Sequence, residues 1–139
     1  IEFLARATPD LRLLVIDYLG LIKQAEGRSL YDKVTLTSQN LKRLARTLEI
    51  PILCLAQLNR GVEGQNRMPR LSDLRDSGAI EQDADGVMLL HCPGETGRPT
   101  SPDGVAPAEL KLILAKNRHG ETGTVNLNFY LRNGRIAQQ

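Results

Sequence analysis

Hydrophobic residues along this chain come in short blocks, each closed by a polar residue or by Gly and Pro. Leu13 to Ile16 is a continuous apolar run ending in Asp17, the pattern of a strand buried on both faces of a parallel sheet. After a polar, Gly-containing stretch from Lys23 to Ser29, the residues Val34, Thr37, Leu41, Leu44 and Leu48 recur at the spacing of one helix face. Lys42, Arg43 and Arg46 crowd the last turns, where cations suit the helix dipole, and they read as a solvated basic face. Pro51 ends that helix, and Ile52 to Ala56 forms a second apolar run that ends in Gln57. Strand, helix and strand joined by short links predict a right-handed crossover between two parallel strands. If those strands are neighbours, Asp17 and Gln57 emerge at the same carboxyl-end edge, one or two strand spacings of ~4.8 Å apart. In open α/β sheets that edge is where ligands bind.

From Asn59 to Asp73 the chain is polar and reads as an exposed loop, locally positive through Arg60, Arg67 and Arg70. Leu74 to Asp85 reads as a turn and a short helix, with Ser77 a candidate cap ahead of Glu81. Gly86 to Cys92 is a third strand. Residues 93–108 carry Pro93, Pro99, Pro102 and Pro107 among glycines, a composition that holds neither a helix nor a central strand. They are expected to form a flexible excursion of the same domain. Leu110 to Ala115 is the next strand, and the alternation of Val125, Leu127 and Phe129 marks another with one wet face. Asn133-Gly134 is a hairpin turn leading into a last strand at Arg135 to Ala137. The expected fold is therefore α/β, parallel strands with a C-terminal antiparallel hairpin, and the chain has no internal repeats.

Composition narrows the functions this fold can serve. The 139 residues hold 18 Lys and Arg against 16 Asp and Glu, a net charge of +2, with 41% hydrophobic residues. That is an ordinary globular domain, which excludes a disordered tail and a protein that holds nucleic acid merely by being basic. Three Tyr, two Phe and no Trp leave no platform of stacked rings for single strands. Cys54 and Cys92 each sit inside an apolar run, which points to free thiols in a reducing compartment. No apolar stretch approaches the ~20 residues of a membrane helix, and a signal peptide's basic-then-apolar start is missing, so a cytoplasmic protein is expected. The chain begins with Ile and enters its first strand by Leu13, which leads us to expect a piece of a longer protein.

Four groups of residues could carry chemistry. An Asp closing a buried apolar strand, as Asp17 does, has the shape of a Walker B carboxylate that holds a nucleotide's magnesium through water, although a solvated Asp at a strand end gives the same pattern. Gln57 either stands beside a phosphate or simply begins a loop. Lys116 and Arg118 lie two apart on an extended segment and project to one side, next to a Gly-bearing turn. Such a pair can clamp a phosphate, Arg with its fork and Lys as a point charge; a solvated hairpin tip is the alternative. Arg75, Asp76 and Gly78 sit where a bare backbone can approach a phosphate and Arg supplies charge, or where a capped turn needs no ligand at all. His119 reads as a turn residue. Glu81, Asp83 and Asp85 lack the ligand order and the glycine of a calcium loop.

Taken together, LLVIDYLGLI, PILCLAQLNR, SDLRDSGAIEQDADGVMLL and LAKNRHGETGTVNLNF resemble, in order and spacing, the C-terminal half of the RecA-like motor domain of the DnaB family of replicative DNA helicases. The resemblance covers Leu13 to Ile136. It implies a homohexameric ring that hydrolyses ATP or another nucleoside triphosphate with Mg2+ and moves along single-stranded DNA. It makes Asp17 the carboxylate on magnesium and Gln57 a sensor coupling the γ-phosphate to the DNA loops. Lys116 and Arg118 become finger residues that reach a neighbour's nucleotide. Arg75, Asp76 and Gly78 match a loop that grips the DNA backbone, with Asp76 standing where the family pattern has Glu. Primase and a helicase loader are the further partners it implies.

No G-x-x-x-x-G-K-[ST] phosphate loop occurs in these residues, nor the catalytic glutamate that the family carries upstream. These 139 residues alone are therefore expected neither to bind triphosphate tightly nor to hydrolyse it. In the family the phosphate-loop strand lies beside the Asp17 strand; without it an apolar central strand is left unpaired, an association hazard, so self-pairing of the isolated piece is expected too. The alternative to a motor fragment is a non-enzymatic module that docks on helicase rings or binds single-stranded DNA through the Arg60 to Arg75 region.

Overall fold

In the computed structural model, residues 7, 8, 10–22, 29–59, 67–74, 78–93 and 106–139 are described. Strand β1 (Leu14–Ile16) leads through a 3-10 turn at Leu19–Leu21 to helix α1 (Leu30–Leu48) and strand β2 (Ile52–Cys54). A 3-10 turn at Leu71–Asp73 and helix α2 (Gly78–Asp83) precede β3 (Gly86–His91), β4 (Ala108–Asn117), β5 (Gly123–Tyr130) and β6 (Arg135–Gln138). The chain divides into two compact units, one within Ile1–Gln57 and Leu74–Ala84, the other within Leu58–Asp73 and Asp85–Gln139.

In the first unit, α1 starts where Ser29 can cap it: its hydroxyl oxygen accepts from the Asp32 amide at 3.1 Å, and Asp32 itself suits the positive end of the dipole. The helix stops when Glu49 turns left-handed at φ 55°, two residues before Pro51. Val34, Thr37 and Ser38 are buried and Leu41, Leu44 and Leu48 half-buried, which is the face expected from the spacing. The Thr37 hydroxyl donates to the Lys33 carbonyl at 2.8 Å, so a polar group is tolerated inside that face. Helix α1 packs against α2, whose Ala79 is buried.

Strands β1 and β2 are parallel neighbours, with Leu14 opposite Ile52 and Ile16 opposite Cys54. Their burial departs from the expectation of two covered faces: Val15 is 53% and Leu53 42% exposed. Among the described residues these two strands form a sheet of their own, and a two-stranded ribbon lacks the flanking layers that bury both faces.

The second unit holds an antiparallel sheet in the order β3-β4-β5-β6. The hairpin expected at the C-terminus is there, with Gly134 at φ 69° and Tyr130 opposite Arg135, whose guanidinium lies 5.5 Å from the Tyr130 ring centre. The antiparallel region is wider than that hairpin, since β3 and β4 also pair antiparallel. One sheet face carries Leu110, Leu112 and Leu114 with Val125, Leu127 and Phe129, and the opposite face of β5 carries Thr124, Asn126 and Asn128. The single wet face expected of β5 is not seen: Val125 is exposed along with Thr124 and Asn126, while Leu127 to Tyr130 are half-buried on both faces, so exposure changes along the strand rather than across it. On β3 the alternation buries Val87 and Leu89 and exposes Met88 and Leu90. Residues 94–105 of the expected excursion lie outside the described residues. Cys54 and Cys92 are free and half-buried, and burial pushes both thiols up from their ordinary pKa. Among the described residues no helix is long and apolar enough to cross a membrane.

Candidate functional site

At the carboxyl end of β1, the backbone is held on both sides of Asp17. The Leu55 amide donates to the Ile16 carbonyl at 2.9 Å, and the Leu55 carbonyl accepts from the Leu19 amide at 2.9 Å. One residue beyond β2 thus brackets the two-residue step that carries Asp17, whose peptide bond to Tyr18 is cis. The Asp17 side chain is exposed, so its carboxylate faces solvent from a fixed root. Gln57 follows two residues after Leu55 and is exposed as well. Both therefore leave from the carboxyl ends of neighbouring parallel strands, the arrangement expected from the sequence.

In the second unit, the pairing of β3 with β4 slips by one residue between Val87 and Met88: Val87 faces Lys116, Met88 faces Leu114, and Ala115 has no partner across the ladder. Beyond this bulge Gly86 faces Asn117, and the Arg118 amide donates to the Asp85 carbonyl at 2.7 Å. The ladder so continues one residue past β4, and its alternation puts Lys116 and Arg118 on one face with Asn117 on the other. The Arg118 guanidinium Nη1 meets Asp85 Oδ1 at 3.1 Å, both side chains being about half exposed. Asn117 ties the following turn from two directions: its Oδ1 accepts from the His119 amide at 3.2 Å, and its Nδ2 donates to the Glu121 carbonyl at 3.1 Å. A Cβ on Gly120 would lie 2.9 Å from Asn117 Nδ2, so a larger residue there would make the Asn117 amide shift. His119 is an exposed turn residue, as expected.

Of the remaining candidates, Arg75 and Asp76 lie outside the described residues, as do Arg60 and the capping candidate Ser77. Gly78 is the exposed first residue of α2, and among the described residues a Cβ on it would meet only the Tyr31 hydroxyl, at 3.9 Å, an ordinary contact. Arg67, expected as an open-loop cation, is instead tied down. Its two terminal nitrogens reach the two oxygens of buried Asp73 at 2.7 and 2.8 Å. Asp73 also accepts from the Arg70 amide at 2.7 Å, and its carbonyl accepts from the Asn59 amide at 2.8 Å. A carboxylate with this many donors keeps its charge inside the protein: the Arg67 hydrogen bonds, helped by the Arg70 amide and against the cost of burial, pull its pKa down to about 2. Among the described residues no three His, Cys, Asp or Glu side chains converge as a metal cage.

Sequence reading missed Asp73, Asp85 and Asn117 as organisers. Asn117 had a usable signal, since Asn ahead of a Gly-bearing turn commonly bonds its own backbone. The partners of Asp73 and Asp85 are visible only once the chain is folded.

A profile of the family described as DnaB-like helicase C-terminal domain matches residues 3–138. The replicative DNA helicase DnaB of Mycobacterium intracellulare is 45% identical over 136 residues, which cover 95% of this chain and 23% of that relative. A solved structure of a DnaB-like replicative helicase, described with its interactions with primase, superposes with a TM-score of 0.79 at 34% identity, covering 96% of this chain and 32% of its own. A second solved structure, of an ATPase domain, gives a TM-score of 0.80 at 34% identity, covering 96% of this chain and 47% of its own. The chain thus spans about a quarter of the length of the curated relatives it matches.

Proposed function

The chain belongs to the family of DnaB-like helicase C-terminal domains, and from that membership we propose that it is part of the motor of a replicative DNA helicase, a homohexameric ring that hydrolyses ATP while moving along single-stranded DNA. The observation that carries this reading is the common edge. Asp17 and Gln57 follow neighbouring parallel strands, and Leu55 fixes the backbone at the first of them. An exposed carboxylate on a fixed root suits Mg2+, which ordinarily takes one or two protein carboxylates, keeps several waters and shares the rest of its shell with phosphates. Asp17 is the residue that would hold the ion through water. When bound, the ion supplies neutralising charge at the phosphate oxygens.

Gln57, at the same edge, donates or accepts a hydrogen bond beside the terminal phosphate and passes its presence on to the loop that follows. Lys116 and Arg118 act on the nucleotide of an adjoining copy. There the Arg fork and the Lys point charge stabilise the transferring phosphoryl group, an effect of ~10³ or more in rate. Arg75, Asp76 and Gly78 contact the DNA backbone. In support, Gly78 is exposed at the start of α2, where among the described residues a Cβ would meet only the Tyr31 hydroxyl at 3.9 Å, so a phosphate has room to approach its backbone. Primase and a helicase loader are the further partners of this reading, and the cytoplasm is its setting.

The test is Asp17→Asn in the full-length protein. Magnesium-dependent hydrolysis falls about 10²-fold or more, while the melting temperature stays put because the side chain is exposed. Unchanged hydrolysis in that variant contradicts the assignment.

A further inference from the structure

Arg118 is held from one neighbouring residue at two points: its amide donates to the Asp85 carbonyl at 2.7 Å, and its guanidinium meets the Asp85 carboxylate at 3.1 Å. We infer that Asp85 is a positioning residue for Arg118, fixing the root and the tip of the side chain that reaches the adjoining copy's nucleotide; this rests on the proposed finger role of Arg118.

Three features of the surroundings point to positioning rather than to fold stability. First, both side chains are about half exposed, and ion pairs of that kind contribute little to folding. Second, the bulge at Val87/Met88 sits two residues from Asp85 and leaves Ala115 unpaired, so the ladder is re-aimed just before Lys116 and Arg118. Bulges of this type turn side chains at the edges of sites. Third, the turn after Arg118 is closed by Asn117 toward His119 and Glu121, so the main chain on the far side of the arginine is fixed too. Arg118 is thereby fixed ahead of any ligand. A guanidinium carries five donors in a planar fork, so a carboxylate on one edge and a phosphate on another are compatible. An arginine whose rotamers are restricted beforehand loses less freedom when it meets the phosphoryl group, and small misplacements of such groups are costly in rate.

The experiment compares steady-state ATP hydrolysis by the full-length protein and its Asp85→Asn, Asp85→Glu, Arg118→Ala and Asp85→Asn/Arg118→Ala variants, with ring assembly and melting followed in parallel. Asp85→Asn is expected to lower kcat about tenfold with KM little changed, and Asp85→Glu, which keeps the charge, to restore most of it. The double variant is expected to be no slower than Arg118→Ala alone, as a residue positioning the arginine requires. Wild-type kcat in Asp85→Asn, or additive losses in the double variant, overturns the inference while leaving the role of Arg118 intact. Wild-type hydrolysis in Arg118→Ala instead removes the underlying reading, and the inference with it. Should Asp85→Asn fail to assemble, Asp85→Glu still decides: a longer side chain with the same charge that assembles and hydrolyses normally supports positioning by charge, and one that assembles but stays as slow as Arg118→Ala overturns it.

Discussion

Asp73 shows how a single buried charge can be made secure. It takes two hydrogen bonds from Arg67 and one from the Arg70 amide, and its pKa falls from the usual 3.8 to about 2. The carboxylate is therefore more easily ionised in the folded protein than in the unfolded chain, and it contributes stability above the unfolded value that is lost as pH falls toward the folded one. Asp73→Asn is expected to destabilise the protein by about 1–2 kcal/mol near neutral pH. In denaturant melts the gap between variant and wild type should close between pH 3.8 and about 2; a gap that does not change with acid contradicts this. None of it was legible in the sequence, where Arg67 stood among the cations of a polar loop and Asp73 was merely its last residue. An ion pair six residues apart leaves no periodic trace, because its geometry comes from the 3-10 turn that brings the two side chains together.

At the scale of elements the pattern of apolar residues carried further. Helix α1 buries the face expected from its spacing, β1 and β2 pair in parallel, and the Asn133-Gly134 turn joins β5 to β6. What periodicity could not supply was the cover on those strands. An unbroken apolar run such as Leu13 to Ile16 reports that both faces can be buried, whereas Val15 is exposed in a two-stranded ribbon. The bulge at Val87/Met88 was equally silent, since alternation along β3 is regular and the extra residue, Ala115, lies in the partner strand. The start of α2 offers a test at this scale. Because among the described residues a Cβ on Gly78 meets only the Tyr31 hydroxyl at 3.9 Å, Gly78→Ala should leave folding unchanged or raise stability by up to about 1 kcal/mol through better helix propensity. The same substitution should weaken single-strand binding several-fold, read by fluorescence anisotropy of a labelled oligonucleotide. Full binding by a stably folded Gly78→Ala protein removes Gly78 from the DNA contact.

Across the whole molecule, Asp17 and Gln57 belong to one compact unit and Lys116 and Arg118 to the other. In the proposed motor the two sets serve different nucleotides, the first that of their own copy and the second that of the adjoining copy. The type and order of these residues were legible from the sequence, since strand ends and turns announce themselves. The support for Arg118 by Asp85 was not, because it joins residues 33 apart. Ring interfaces of this heterologous kind permit a direct test by mixing two inactive full-length variants, Asp17→Asn and Arg118→Ala. In a randomly mixed ring, about a quarter of the interfaces would pair an intact Asp17 from one copy with an intact Arg118 from the next. ATP hydrolysis, lowered about 10²-fold or more in either variant alone, is therefore expected to return on mixing to about a quarter of the wild-type rate per subunit. If the mixed rings assemble and stay inactive, the two residues serve the same copy and the site is not shared between neighbours.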